Sequence, residues 1–416
     1  MTEPVLLSAS WSREPVPAGA AQVNYVLIAA RPAAVPTTVD APPVNFCLVL
    51  DRSGSMAGPK IQNLKLAVSE VITALRPQDV VSVVLFDDTL QVLVPARQAD
   101  DIPALQNAVE RIAEQGGTAM SLGLEAGLAE LQKFQTPGMI GRLLLLTDGQ
   151  TWGDEEKCRD LATQLGALGV PITALGLGDE WNEVLLDDLA EKSGGQSDYI
   201  ADPDQIGAYF QQTLQSAQTT TIQNARLLLR LLPGVTPRAV YRVQPSIANL
   251  GYKPIGEREV TVSLGEIAGD GASVLVDLML PDREAGTYRI AQAELQYDAP
   301  ALSIAGGKIK IDIPLSFSAD AKASVVNPPI MNTVEKVTAF KLQTRALSEA
   351  EVGNVSGATQ KLRAAATRLL DLGETELAQT MEQSATQLES GGQINAADQK
   401  AMRYATRKLT QRIDEE

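Results

Sequence analysis

Two patterns of apolar and polar positions take turns along the first half of the chain: short apolar runs, and longer stretches with apolar residues at helical spacing. Short, almost wholly apolar runs predict strands buried on both faces of a sheet. Such runs lie at Val44–Leu50, Val80–Phe86, Leu90–Val94, Arg142–Thr147 and Pro171–Leu177, with a weaker one at Tyr199–Ile200. The second and third runs are close neighbours, so one edge of this sheet is expected to be antiparallel.

The stretches between these runs carry apolar residues at helical spacing, which predicts amphipathic helices. These helices are predicted at Lys60–Leu75, Ile102–Glu114, Ala119–Phe134, Glu155–Leu168, Glu183–Lys192 and Pro203–Ser216. Strands that alternate with helices predict a mostly parallel sheet covered on both faces. We therefore expect an α/β, Rossmann-like doubly wound domain over residues 43–218.

The pattern changes after Thr221, where short apolar runs are separated by Gly, Pro and Asn turns. This spacing is typical of an antiparallel β-sandwich. Residues 1–42 carry similar strands and are expected to complete it. The sandwich would then be discontinuous, formed by 1–42 plus 219–326, with the α/β domain inserted into it.

The last part of the chain, residues 327–416, is predicted to be helical. Its clearest apolar face has members at i, i+3, i+4, i+7 and i+8, namely Leu362, Ala365, Ala366, Leu369 and Leu370. Gly373 and the pair Gly391-Gly392 are expected to interrupt the helices.

Charge and composition exclude several functions. The formal net charge is −16, and residues 43–216 hold 11 basic and 25 acidic residues, a balance of −14. Such a surface repels phosphate, so nonspecific nucleic-acid binding is not expected, and solubility is the favoured explanation of the acidic charge. The chain contains no histidine, which excludes His-based metal sites and His general bases.

Cysteine content and apolar run length indicate where the protein works. Cys47 and Cys158 suggest neither a disulfide scaffold nor a zinc site. The N-terminal residues lack the pattern of a secretory signal. No apolar run approaches the roughly 20 residues that cross a bilayer. We therefore expect a cytoplasmic protein without a membrane span.

Oxygen-bearing side chains are concentrated where predicted strands end. Asp51, Ser53 and Ser55 follow the first buried strand, Asp148 follows a second, and Thr118 precedes a helix. Because these positions share one edge of a parallel sheet, they can converge. Two carboxylates and three hydroxyls suit a hard, octahedral cation, Mg²⁺ above all.

These motifs resemble those of the von Willebrand factor A (VWA) domain. The run DRSGS from Asp51 to Ser55 matches the DxSxS signature, Gly117-Thr118 matches the threonine loop, and Thr147-Asp148-Gly149 matches the second aspartate. The resemblance implies a metal-ion-dependent adhesion site at Asp51, Ser53, Ser55, Thr118 and Asp148. That site would hold Mg²⁺ or Mn²⁺ and take a Glu or Asp carboxylate from a protein partner.

The flanking regions also resemble those of bacterial intracellular proteins of this family. Some relatives act as scaffolds or regulatory subunits, for example of an AAA+ ATPase or of a defence or stress complex. The resemblance therefore implies a non-enzymatic interaction protein.

Two residues near the predicted site are candidates for contacting the partner. Trp152 lies in the loop after the second aspartate, where an exposed indole would anchor an interface. Packing against its own loop is an equal alternative. Asp87 follows a strand and could add charge at the rim, or could simply belong to a turn.

An enzymatic alternative is a Mg²⁺-dependent phosphohydrolase with Asp51 as nucleophile, since such enzymes place an Asp at a strand tip. Against it, no second Asp lies two residues after Asp51. Lys60 and Arg52 are the only basic residues nearby.

Overall fold

The computed structural model describes residues 4–33, 41–136, 138–251, 253–254 and 259–411. The chain forms two compact units. The α/β unit comprises Ala34–Asn224 with Asp298–Ala305, and the sandwich–helix unit comprises Met1–Ala33, Ala225–Tyr297 and Gly306–Glu416. Within the span 1–42 that was predicted to start the sandwich, residues 1–3 and 34–40 lie outside the described residues.

The α/β unit is built on a six-stranded sheet. Its strands follow across the sheet in the order Gln196–Ile200, Ile172–Leu177, Ile140–Thr147, Val44–Asp51, Val80–Phe86 and Leu90–Gln98. Neighbouring strands are parallel except the last two, which are antiparallel. The structure thus confirms the predicted mostly parallel sheet with one antiparallel edge.

Helices cover both faces of this sheet. They lie at Pro59–Ala74, Ile102–Val109, Met120–Gln132, Glu155–Ala167, Glu183–Ser193 and Ile206–Thr219. Leu48 and Leu50 of the central strand share a core with the first and last of these helices. Val49, which points to the opposite face, contacts the helix Met120–Gln132. The whole strand Val44–Asp51 is buried, which explains its continuous apolar sequence.

One helix ends earlier than its pattern predicts. The helix Ile102–Val109 stops five residues before the expected Glu114. The chain leaves the helix there to bond to the loop after the central strand. The Gln115 N–H donates to the Arg52 carbonyl at 2.7 Å, and the Gly54 N–H donates to the Gly116 carbonyl at 3.1 Å. These bonds fasten two loops at the carboxyl edge of the sheet.

The sandwich–helix unit contains two larger sheets. The five-stranded sheet has the order Val5–Trp11, Gln22–Pro32, Ala272–Leu280, Thr236–Gln244 and Ala248–Asn249. The six-stranded sheet has the order Lys253–Pro254, Glu259–Ile267, Ile222–Leu231, Gly286–Ala299, Ile304–Ser318 and Val16–Pro17. A short ribbon pairs Arg13–Glu14 with Val325–Val326.

Helices at Pro328–Glu351, Val355–Asp371, Thr375–Glu389 and Ala396–Arg407 complete this unit. They pack on the five-stranded sheet: Phe340 and Val337 share a core with Tyr241 and Leu275. The helices break near Gly373 and Gly391, as predicted, and also at Gly353, where the sequence had suggested no interruption. Among the residues that the structure describes, no helix is long and apolar enough to cross a membrane.

Candidate metal centre

The central strand delivers Asp51 to a buried position at the carboxyl edge of the α/β sheet. Both of its carboxylate oxygens accept hydrogen bonds. Oδ1 accepts from the Ser53 N–H at 2.8 Å, and Oδ2 accepts from the Thr147 hydroxyl at 2.6 Å. Thr147 is the last residue of the neighbouring strand, so this bond fixes the two strand tips to each other.

Asp148 faces Asp51 from that neighbouring strand tip and contacts both serines. Its Oδ1 accepts from the Ser55 hydroxyl at 2.7 Å and lies 3.5 Å from the Ser53 hydroxyl. The two hydroxyls are 3.0 Å apart. The structure therefore brings four of the five predicted ligands into one cluster of oxygen atoms.

The fifth predicted ligand, Thr118, lies beside this cluster without a hydrogen bond to the other four residues, all of which the structure describes. Its Oγ1 is 3.3 Å from the point where a Cβ on Gly149 would stand. The Thr151 hydroxyl donates to its backbone carbonyl at 3.3 Å. Thr118 is thus placed next to Gly149, and the Thr151 hydroxyl bonds to its backbone.

The ammonium of Lys60 completes the cluster. Its Nζ lies 2.5 Å from Asp148 Oδ2, and the Lys60 side chain is 31% exposed whereas that of Asp148 is buried. In the sequence, Lys60 stood out only as a nearby basic residue. Its pairing with Asp148 joins residues 88 positions apart, and the spacing of residues along the chain does not reveal such a contact.

Asp87 supports, from inside the protein, the loop that carries Ser53 and Ser55. Its Oδ2 accepts from Arg52 Nε at 2.5 Å, and its Oδ1 accepts from the N–H and hydroxyl of Thr89 at 2.6 and 2.7 Å. Burial raises the pKa of its carboxyl, but the bonds from Thr89 and Arg52 outweigh this effect and hold that pKa below its usual range. Asp87 is 0% exposed, so it does not occupy the rim position considered for a partner contact.

Trp152 is 81% exposed, and its neighbours explain why it projects outward. Thr151 is buried and accepts the Met120 N–H at 3.2 Å. Asp154 bonds to the Thr151 hydroxyl and accepts the Ser121 N–H at 2.8 Å. The residues on both sides of Trp152 are therefore fixed, while its indole faces solvent. The alternative in which Trp152 packs into its own loop does not occur.

The electrostatics of the cluster favour a cation. Burial raises the pKa of Asp51 to about 6, hydrogen bonds from Thr147 and Ser53 oppose the rise, and the charge of Asp148 adds to it. Two buried carboxylates next to each other are costly unless positive charge compensates them. Carboxylate and hydroxyl oxygens are the donors that a hard divalent cation prefers. The residues present therefore fit such an ion.

The candidate metal centre contains few carboxylates. Among the described residues, no group of three or more His, Cys, Asp or Glu side chains is placed to hold a metal. The cluster has two carboxylates, and its other protein donors are hydroxyls. This composition differs from that of a carboxylate-rich calcium cage.

A doubly wound sheet with DxSxS, threonine and aspartate loops at its carboxyl edge defines a VWA-type protein, and comparison with known proteins agrees. Residues 45–213 match the family model of the von Willebrand factor type A domain, and residues 328–412 match that of the Sll0103-like, C-terminal alpha-helical domain. The chain therefore contains a VWA domain at residues 45–213 and an Sll0103-like helical domain at residues 328–412, which confirms the resemblance to the VWA domain.

Relatives and solved structures extend this similarity along the chain. The protein sll0103 of Synechocystis sp. is 29% identical over 375 residues, covering 89% of each chain. A von Willebrand factor type A structure from Catenulispora acidiphila superposes with a TM-score of 0.75 at 18% identity, covering 96% of each chain. The ArnB paralog VWA2 from Sulfolobus acidocaldarius superposes with a TM-score of 0.57 at 15% identity, covering 98% of this chain and 99% of that one. The two structures show the shared fold.

VWA domains are protein-interaction modules, many of which carry a metal-ion-dependent adhesion site. Relatives that match this domain include the inter-alpha-trypsin inhibitor heavy chains. The heavy chain H1 of Mesocricetus auratus is 31% identical over 170 residues, and that match spans 18% of its length.

Proposed function

We propose that this protein binds a protein partner through a metal-ion-dependent adhesion site formed by Asp51, Ser53, Ser55, Thr118 and Asp148. The metal would be Mg²⁺ or Mn²⁺, and the partner would contribute a Glu or Asp carboxylate. The observation that carries the proposal is the convergence of two buried carboxylates and two hydroxyls at one edge of the sheet.

Each part of the cluster has a distinct task in this proposal. Asp51 and Asp148 provide the negative charge, while the hydroxyls of Ser53 and Ser55 add neutral oxygens. When bound, the metal supplies a Lewis-acidic position for an anionic oxygen from outside the chain. Two carboxylates leave a divalent ion without excess negative charge, which favours an acidic partner over a neutral one.

Trp152 is the residue of this unit that we expect to contact the partner directly. Exposed Trp side chains are enriched among the residues that dominate interface energies. The indole is 81% exposed, and its loop follows Asp148. Because neighbouring residues hold this loop, little conformational entropy would be lost when a partner covers the indole.

The phosphohydrolase alternative receives less support. A nucleophilic Asp51 would need a free carboxylate oxygen facing the substrate. Both of its oxygens accept hydrogen bonds from Ser53 and Thr147, and the residue is 0% exposed. These contacts suit a residue that holds a metal or a loop better than one that attacks phosphorus.

Affinity capture from the native cell tests the proposed function. The immobilised protein should retain a partner in Mg²⁺ and release it in EDTA. Asp148→Ala should lose the partner, and Trp152→Ala should lose it while keeping metal binding. Asp160→Ala removes an exposed carboxylate of the same unit and should behave as wild type. A partner held equally in Mg²⁺ and EDTA would contradict the proposal and indicate a contact elsewhere, such as the helical region.

A further inference from the structure

Lys60 occupies an unusual place for a cation. It is the second residue of the helix Pro59–Ala74, whose N-terminus carries the positive end of the helix dipole. Acidic residues favour such positions, and the first turn of this helix has none. A lysine here opposes this local preference, and a specific interaction can offset the effect.

That interaction is the ion pair with Asp148. Asp148 is 2% exposed. Its Oδ1 accepts a hydrogen bond from the Ser55 hydroxyl, and its Oδ2 accepts one from the Lys60 ammonium. Without the ammonium, this carboxylate would be buried with no positive charge beside it, which is strongly unfavourable. Lys60 therefore supplies the charge that a bound metal would otherwise supply.

The structure also leaves Lys60 an alternative position. Its side chain is 31% exposed, and four methylenes connect the ammonium to a helix whose start is fixed by Gly58 at φ +78° and by Pro59. The ammonium can thus move into solvent while the helix remains in place. A divalent cation at the cluster would repel it, since like charges a few ångströms apart interact strongly in a buried site.

We propose that Lys60 is an internal cation that competes with the divalent metal for Asp148, and so weakens the affinity of the free protein for metal. This inference rests on the proposed metal site. Metal binding would displace the ammonium from Asp148 towards solvent, where it would lie near the position of the incoming carboxylate. Lys60 would thereby favour the metal-bound state mainly when an acidic partner is present.

Isothermal titration with Mn²⁺ tests this competition. Lys60→Met removes the charge and keeps an unbranched side chain that is one atom shorter. We expect it to bind Mn²⁺ about tenfold more tightly than wild type, equivalent to about 1.4 kcal/mol. Lys65→Met makes the same change on the same helix, where Lys65 bonds to the Glu110 carbonyl instead, and should bind as wild type does. Equal or weaker affinity of Lys60→Met would overturn the inference.

Thermal unfolding separates competition from a purely structural role. In EDTA, Lys60→Met should melt at a lower temperature than wild type, because Asp148 has lost its counter-charge. In saturating Mn²⁺ the two proteins should have the same melting temperature, since the metal replaces the ammonium as the counter-charge of Asp148. A deficit of the same size in both buffers would show a structural role alone and overturn the inference.

The two proposals fail in different ways. If wild type and Lys60→Met bind Mn²⁺ with equal affinity, only the proposed role of Lys60 is overturned. An absence of Mn²⁺ binding in both proteins overturns the metal site as well.

Discussion

At the scale of single residues, three of the buried carboxylates that the structure describes are paired with basic side chains. Asp148 has Lys60, Asp87 has Arg52, and Glu294 in the sandwich–helix unit has Arg230 and Lys310. A buried carboxylate without such a partner would lose several kcal/mol of stability. Trp152 is 81% exposed, as the proposed contact with a partner requires.

Glu294 provides a test of this rule through pH. Hydrogen bonds from Arg230, Gln296 and Lys310 lower the pKa of Glu294 to about 2, against 4.5 for an ordinary glutamate. The ionised form is therefore stabilised in the folded state. Its contribution is fully present above about pH 4.5 and is lost as the pH falls towards 2.

We expect Glu294→Gln to lower the free energy of unfolding by roughly 1 to 2 kcal/mol at pH 6, after allowance for the exposed cations around it. The difference from wild type should shrink steadily between pH 4.5 and pH 2.5. Urea unfolding at several pH values measures this difference in the free energy of unfolding. Glu284→Gln, at an exposed position, serves as control, and a deficit that stays constant with pH would contradict the account.

At the scale of elements, close packing of one helix positions the threonine loop. A Cβ on Gly127 would lie 2.7 Å from Val49 Cγ2, and a Cβ on Gly123 would lie 2.7 Å from Phe86 Cδ1. The helix Met120–Gln132 can approach the sheet this closely only because these positions lack side chains. Since Thr118 lies two residues before this helix, we expect the position of the helix to affect the position of Thr118 as well.

Gly127→Ala should therefore destabilise the α/β unit by about 1 to 3 kcal/mol, because overpacking forces side chains or backbone to shift. Gly207→Ala is the matched control. A Cβ there would meet only Glu70 Oε2, at 3.0 Å, the end of an exposed side chain, so this change should be neutral or slightly stabilising. Denaturant unfolding measures the change in the free energy of unfolding for each variant. Equal changes would show that Gly127 does not limit how closely the helix approaches the sheet.

Much of this unit could be predicted from its sequence, because strands buried on both faces leave continuous apolar runs such as Val44–Leu50. The ends of those runs also identified Asp51 and Asp148. Contacts between distant residues were not predictable. The burial of Asp87 depends on Arg52, and the early end of the helix Ile102–Val109 depends on a hydrogen bond between Gln115 and Arg52.

At the scale of the whole molecule, each compact unit combines segments from different parts of the chain. The helices after Asn327 share a core with the five-stranded sheet: the rings of Tyr241 and Phe340 meet edge to face with centroids 6.5 Å apart. The helical region is thus integral to its unit. The proposed adhesion site lies wholly within the other unit, on loops attached to buried strands.

We propose that these loops bind a divalent cation through Asp51, Ser53, Ser55, Thr118 and Asp148. Isothermal titration of the full chain with Mg²⁺ measures it most directly. Wild type and Asp160→Ala should bind one ion per chain, while Asp51→Ala and Ser53→Ala should give no binding heat although circular dichroism shows them folded. Mg²⁺ binding that is unchanged in folded Asp51→Ala and Ser53→Ala would contradict the account.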